Sequence, residues 1–321
     1  PDQAGVPGGP PPPAAPATAA TTAGTGALPA DIRSVVERMP GSIGEIVLHA
    51  IPRLVDYQDV GYARRYLDLL QPFVPADASA SASRVEMARS VARYLALWMT
   101  YEDAVRVADL KTRASRFERI RASQAKGAEI VVTDFLKPDL DEIWGVLPDK
   151  LVRPFADWAV RRWPHGRPTV GQHVKTTTVS GYLRVWLLTR LKRWRPISYR
   201  AREEHARIAR WLDAVRACAA RDDALGAEVA RAAQLVKGYG DVRRRMMALH
   251  EALLAGVLKA AELEARKGAG FAASTALAAR GRALVLAGPD GEAKVADTLS
   301  AALARLEAGD AAGALALARQ V

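Results

Sequence analysis

From Asp31 to the end of the 321-residue chain, apolar side chains recur every three or four positions. That spacing constrains the fold more than any other feature, because it is the period of an α-helix with one buried face. Ile32, Val35, Val36 and Met39 open the pattern, and Pro40 and Gly41 stop it. Residues 44–70 continue it through Ile51, Leu54, Tyr66, Leu67 and Leu70, with Pro52 predicting a kink or a division. Pro72 and Pro75 close that region. Ser83–Thr100 predicts a further helix, opened by Ser83-Arg84-Val85-Glu86 as a capping box, with Val85, Ala88, Val91, Ala92, Leu95 and Trp98 on one stripe. After Ser180 the period predicts helices over 181–194, 198–221, 223–237, 241–266, 272–287, 291–307 and 310–320. Residues 139–146 and 149–163 predict two more, bounded by Pro148 and Pro164. Two β-branched stretches, 129–135 and 171–179, predict short strands. The expected fold is mainly α, a multi-helix domain with at most a small two-stranded β element.

Residues 1–30 are mostly Pro, Ala, Gly and Thr with a single charge, Asp2, which predicts a semi-extended disordered linker. The chain begins at Pro1 inside this tract, so a processed product or an excised fragment is expected, with something attached ahead of the linker. No basic-then-apolar leader is visible, and no apolar run approaches the roughly 20 residues of a membrane helix. The expected division is a linker at 1–30, a helical part at 31–127, a central basic, Trp-rich part at 128–250, and Ala-rich helical hairpins at 251–321.

Several chemistries are excluded by residue type. Cys218 is the single cysteine, so no internal disulfide forms, which fits a reducing cytoplasm. An iron–sulfur cluster takes four thiolates, which one chain with one cysteine does not supply. Cys218 falls on the stripe Ile208, Trp211, Leu212, Val215, which predicts a buried, inert thiol. Asparagine is absent, which removes the Asp-plus-Asn ligand set of a thiamine diphosphate site. The five histidines form no His-x-x-x-His pair, so no metal site is expected. No catalytic residue is predicted.

The formal net charge of +11 is localised. Residues 150–216 hold 16 Lys and Arg against four acids, an excess that accounts for all of it. A field of this kind predicts an acidic partner.

Three stretches are candidates for that contact. Residues 104–121 (AVRVADLKTRASRFERIR) contain six cations, among them Lys111, Arg113 and Arg116. Read as one helix, the stretch has an apolar stripe of Val107, Leu110, Ala114 and Phe117 and a polar stripe of Arg106, Asp109, Arg113 and Arg116. The polar stripe is either a partly self-paired solvated face or a docking surface. Residues 173–196 follow Lys175 with Thr176, Thr177 and Thr178, then place Tyr182, Trp186 and Trp194 among Arg184, Arg190, Lys192, Arg193 and Arg195. They read as a Trp-rich core covered by Arg stems, as an anion site of hydroxyls and cations, or as a nucleic-acid surface. In LVKGYGD (235–241), Gly238 reads as a helix C-cap and Gly240 as a turn, or the loop cradles a phosphate beside Lys237 and Arg243–Arg245.

RLVDYQDVGYARRYLDLL (53–70), YEDAVRVADLKTRASRFERIR (101–121), KTTTVSGYLRVWLLTRLKRWRPISYRAREE (175–204) and LVKGYGDVRRR (235–245) together resemble one family, the β-subunit type of indolepyruvate:ferredoxin oxidoreductase in the 2-oxoacid:ferredoxin oxidoreductase superfamily. The resemblance spans roughly residues 45–250. It is to the long region that follows the catalytic γ-like domain, and that domain's Gly-rich start is absent here. It implies an accessory or assembly domain, not active alone, of a bacterial-type enzyme that converts arylpyruvates to acyl-coenzyme A and carbon dioxide and reduces ferredoxin. Thiamine diphosphate and iron–sulfur clusters are implied for other domains, and none for this chain. The implied partners are the catalytic subunit or domain, and ferredoxin or coenzyme A. No membrane partner is expected. A free-standing basic helical protein that binds nucleic acid or another acidic polymer is the alternative.

Overall fold

A computed structural model describes residues 28–77, 79–123, 130–163, 168–268 and 270–320. Most of the expected linker (1–27) and the 129 end of the first strand candidate lie outside the described residues, as do Pro164 and His165. The chain divides into two compact units, residues 1–38 and 39–321. The first holds one described helix, α1 (Ala30–Glu37), preceded by Pro29 and steadied by the Ser34 hydroxyl, which donates to the Asp31 carbonyl.

The second unit opens with α2 (Gly41–Tyr57), which runs through Pro52 without a break. Pro52 and Leu48 are both exposed, so the carbonyl left free by the proline lies on the solvent side. The division falls instead at Asp59, whose carboxylate accepts from the Tyr62 amide (2.8 Å) and starts α3 (Val60–Leu70). The next helix, α4 (Ala82–Met99), is capped by Ser81 rather than Ser83: the Ser81 hydroxyl accepts from the Arg84 amide, while Glu86 turns outward to Arg89 and Arg231.

Residues 104–121 form two helices, α5 (Ala104–Thr112) and α6 (Ala114–Ala122). Arg113 between them is extended (ψ 136°), which breaks the expected single stripe. Val105 and Ala108 are the buried positions of α5, Leu110 is exposed, and α6 buries no residue.

Strands β1 (Thr133–Leu136) and β2 (Gln172–Lys175) pair antiparallel, Thr133 opposite Lys175, and enclose α7 (Leu140–Gly145) and α8 (Asp149–Arg162). Asp139 and Glu142 form a reciprocal capping box on α7. The helix α9 (Val179–Thr189) starts at Thr178 and ends earlier than its apolar spacing predicts, passing into a 3₁₀ segment at Arg190–Ile197. Then follow α10 (Tyr199–Ala219), α11 (Asp223–Ala232), α12 (Gly240–Arg266), α13 (Ala272–Leu286), α14 (Pro289–Ala308) and α15 (Ala311–Arg319). The fold is mainly α, with fifteen α-helices and one two-stranded antiparallel sheet among the described residues. No described helix is long and apolar enough to cross a membrane. The boundary expected at 250/251 falls inside α12.

The core lies where α4 packs between α2 and α11, with α10 against both α11 and α4. Leu54, Tyr66, Leu95 and Trp211 are fully buried there, each worth about 1.5–3 kcal/mol of transfer free energy. At Gly226 of α11 a Cβ would lie 2.7 Å from the Ala219 Cβ and 2.9 Å from its Cα, so only glycine lets α10 and α11 approach this closely. Helices α12–α15 pack on one another as a second layer, joined to the rest through α11 and α13. The expected Trp-rich core is not formed. Of the six tryptophans between 144 and 211 only Trp211 is buried, against Trp98 of α4 (5.7 Å between rings). Trp158 and Trp194 are exposed.

Candidate functional site

Helices α2, α5 and α10 and the 3₁₀ segment converge on a buried arginine. Arg195 Nε and Nη2 donate to the Asp103 carboxylate (2.7 and 3.1 Å), and Nη1 donates to the Tyr57 carbonyl (2.6 Å) and Gln58 Oε1 (3.0 Å). Its guanidinium lies 4.1 Å from the Tyr57 ring centre. Burial opposes the charge, but Asp103 and the Tyr57 and Tyr101 rings outweigh it and hold the guanidinium above its ordinary pKa. Asp103 also caps α5, accepting from the Arg106 amide (2.6 Å). One carboxylate therefore fixes both a helix start and a buried cation.

Three further carboxylates hold neighbouring cations. Asp56 of α2 accepts from Arg106 (2.9 Å) and Arg113 (2.8 Å), and Asp109 takes the same two cations from within α5. Asp134 of β1 is buried and accepts from Lys111 (2.5 Å), Arg116 (2.9 Å) and the Thr176 hydroxyl (2.9 Å). Burial pushes the Asp134 carboxyl up, and these three donors outweigh it, so it lies below the usual carboxylate range.

A fifth carboxylate ties α10 to α4 and α12. Glu204 has no exposed surface and meets Trp98 Nε1 (2.8 Å), Arg243 Nη2 (2.7 Å) and Arg200 Nε (3.0 Å). Burial again opposes ionisation, and Arg200, Arg243 and Arg207 overcome it. Beside it is a cleft of about 250 Å³ between the start of α5, α7, α10 and α12. Its walls mix carboxylates (Glu102, Asp139, Glu203) with Arg200, Arg207 and Arg244. Arg244 is held by Asp139 (2.6 Å) and Asp141 (3.2 Å), and Tyr239 donates to Glu102 across the mouth. The wall arginines are already paired, so the cleft offers no free cation to an anion.

The candidate cations separate into two groups. Arg195 belongs to a buried ion pair and Lys111, Arg113 and Arg116 to partly buried ones, and Lys192 donates to the Asp56 carbonyl (2.9 Å), with burial and neighbouring Arg195 lowering its pKa. The bases of 104–116 are therefore partly self-paired, through Asp109, and partly neutralised from other elements by Asp56 and Asp134. Thr176 donates to Asp134 of β1, and Thr177 accepts from the Val132 amide just ahead of that strand (3.3 Å). In the second group, Arg190 lies over Trp186 (4.9 Å), and Lys175, Arg193 and Lys237 meet no carboxylate among the described residues. The phosphate cradle near Lys237 is not assembled: Arg243, Arg244 and Arg245 are bound to Glu204, Asp139 and Glu292. Gly238 is left-handed (φ 90°) and Gly240 (φ 49°) opens α12, as a turn between helices requires. Among the described residues, no three His, Cys, Asp or Glu side chains gather as a metal site. Cys218 is buried, which raises its thiol to about 11.

These contacts join the four blocks singled out in the sequence. Asp56 links the first to the second, Arg195 links the third to both, and Glu204 and Tyr239 bring in the fourth. The sequence model of DUF6537, a family of unknown function, matches residues 43–256. The chain belongs to the DUF6537 family. The matched span contains all four blocks and ends within α12, before α13–α15. No curated protein and no solved structure matches the chain.

Sequence reasoning missed the acids that organise the DUF6537 region, Asp56, Asp103, Asp134 and Glu204. One signal was present. Glu204 stands on the same helical stripe as Ala201, Ile208 and Trp211, and an acid at a core position marks a buried charge. The other three are brought to their partners only by tertiary contact.

Proposed function

We propose that this chain is a non-catalytic accessory domain that helps assemble an arylpyruvate (indolepyruvate-type) ferredoxin oxidoreductase, an enzyme that forms acyl-coenzyme A and carbon dioxide from 2-oxoacids. The observation that supports this reading is the interlocking of the four resembling blocks through buried and half-buried ion pairs. Scattered chance likenesses have no reason to meet in space. The arrangement is also what a scaffold needs, since charges consumed in buried pairs hold helices in place and are not available for acid–base chemistry. On this reading thiamine diphosphate and the iron–sulfur clusters reside in other domains, and the chain contributes a folded face to the catalytic polypeptide, to ferredoxin or to coenzyme A.

A second reading is a basic protein that binds an acidic polymer, favoured by the absence of any Asp or Glu from Trp158 to Arg202. The test is size-exclusion chromatography of the full chain with the catalytic polypeptide of an arylpyruvate ferredoxin oxidoreductase, beside a duplex and a single-stranded oligonucleotide. A stoichiometric complex with the polypeptide is expected. No complex at low salt, together with oligonucleotide binding that weakens steeply with salt, would reject the accessory reading in favour of the second.

A further inference from the structure

Between α10 and α12, and lined also by Trp98 of α4, lies a cavity of about 280 Å³. Helical spacing builds its walls. Trp211 and Ala214 stand one turn apart on α10, and Met247, His250, Leu254 and Leu258 follow one another along one side of α12. Trp98, Trp211, Met247 and Leu254 are buried. Both indole N–H groups are bound within the fold: Trp98 Nε1 donates to Glu204 (2.8 Å) and Trp211 Nε1 to the Val229 carbonyl (3.2 Å). The charged residues of the lining are matched as well. Arg210 donates to Glu251 (3.4 Å), and Arg207 lies 3.8 Å from the same carboxylate and 3.7 Å from Glu203. A charged molecule therefore meets no unmatched charge here.

His250 is the exception among these walls. It is 1% exposed, its ring meets Trp98 edge-on (5.5 Å), and neither ring nitrogen has a hydrogen-bond partner among the described residues. A buried polar group left unpaired is costly. A water is a poor remedy, since it needs about two to four polar partners and the walls beside His250 are indole, thioether and aliphatic. Walls of this kind accept a ring: apolar cavities of about 150 Å³ take up benzene.

We propose that this cavity binds a small, uncharged, largely apolar ring molecule with one hydrogen-bonding group, and that His250 recognises that group. Both ring nitrogens are buried, so binding turns the imidazole or displaces Met247, whose unbranched thioether is the most yielding of the walls. A neutral imidazole has one donor and one acceptor, so a hydroxyl or a ring N–H can be matched. The chemistry of the cavity is independent of the accessory-domain reading.

The test uses the full chain with phenol and toluene, probes of nearly equal size of which only phenol hydrogen-bonds. Binding is read by ligand-observed NMR titration and His250 by its imidazole nitrogen resonances, with circular dichroism to verify folding. Both probes are expected to bind the parent, and phenol alone to shift the His250 nitrogens. His250→Leu, which keeps the cavity apolar, is expected to retain toluene and to lower the phenol-to-toluene affinity ratio about tenfold. Ala255→Trp, at an exposed position of the lining, is expected to weaken both probes by about tenfold. A parent that binds neither probe overturns the site, as does undiminished binding of both by a folded Ala255→Trp variant. A phenol complex that leaves the imidazole resonances in place, or an unchanged ratio in folded His250→Leu, overturns recognition by His250. Tighter binding of benzoate or benzylammonium than of phenol overturns the uncharged ligand class. Should His250→Leu fail to fold, the imidazole resonances of the parent decide.

Discussion

Arg193 and Arg195 are two residues apart in one basic run and belong to different regions of the molecule. Arg195 points inward, with 4% of its side chain exposed, and is bound to Asp103 and the Tyr57 carbonyl. Arg193 is exposed and meets no carboxylate among the described residues. The same division holds between the junction of α2, α5 and α10 and the outer face of α9. In the junction, cations are spent on carboxylates and hold helices together. On α9, Val179, Leu183 and Leu187 are exposed, and Arg184 meets no carboxylate among the described residues. A charge count over residues 150–216 merges the two, although one region carries stability and the other is available for contact.

The largest test of this contrast is Arg195→Ala against Arg193→Ala. Removing Arg195 leaves Asp103 buried without its partner and is expected to cost about 3–5 kcal/mol in denaturant unfolding. Asp103→Ala should cost a similar amount, and the double variant less than the sum of the two. A loss under about 1 kcal/mol for both single variants would mean that the junction is not what holds these helices.

Acid separates the regions next. His250 is buried against Trp98 (5.5 Å), neither ring nitrogen has a hydrogen-bond partner among the described residues, and burial lowers its pKa to about 4. The unfolded chain takes up this proton near pH 6.5 and the folded chain only near 4, so stability is lost as pH falls through that window, by about 3 kcal/mol in all. His205 has a pKa lowered likewise to about 4, by burial and by Arg65, and adds to the same slope. His250→Leu should flatten the dependence of unfolding free energy on pH between 6.5 and 4 and leave stability at pH 8 equal or higher. An unchanged slope in that variant would show that His250 is not buried as a neutral base.

Asp134→Ala has a smaller and more local expected effect, about 1–3 kcal/mol, because Lys111 and Arg116 are partly exposed and regain water. Amide exchange should quicken at Thr133–Leu136 and Gln172–Lys175 while α4 and α11 stay protected. Uniform quickening would mean that the β pair and the helical core unfold as one unit. The smallest effect is on the α9 side: Arg193→Ala and Arg184→Ala should each change stability by no more than about 0.5 kcal/mol. A larger loss from either would move that residue from the contact surface into the junction.

The helical fold was legible because burial in a helix leaves a period in the sequence. The elements from 198 onward follow the expected ranges closely, since their apolar faces are wide and their ends carry Gly, Pro or Asp. Legibility failed where a local signal competed with a distant one. Pro52 predicted a break that an exposed helix face made unnecessary, and Arg113 ended a helix whose apolar spacing continued past it. The candidate cations were visible as residue types, but not as two groups. Asp56, Asp103 and Asp134 looked like ordinary surface acids, because what makes them central is a partner 23 to 92 positions away in the chain.

The sequence by itself determined that the chain is mainly helical with at most a small β element, and that its positive charge is concentrated in one stretch. Each of these follows from composition and from spacing over a few residues. Only the tertiary structure decided which cations are buried in ion pairs and which remain at the surface. A charge is neutralised by whatever lies within a few ångströms of it, and that neighbour is set by helix packing rather than by order along the chain.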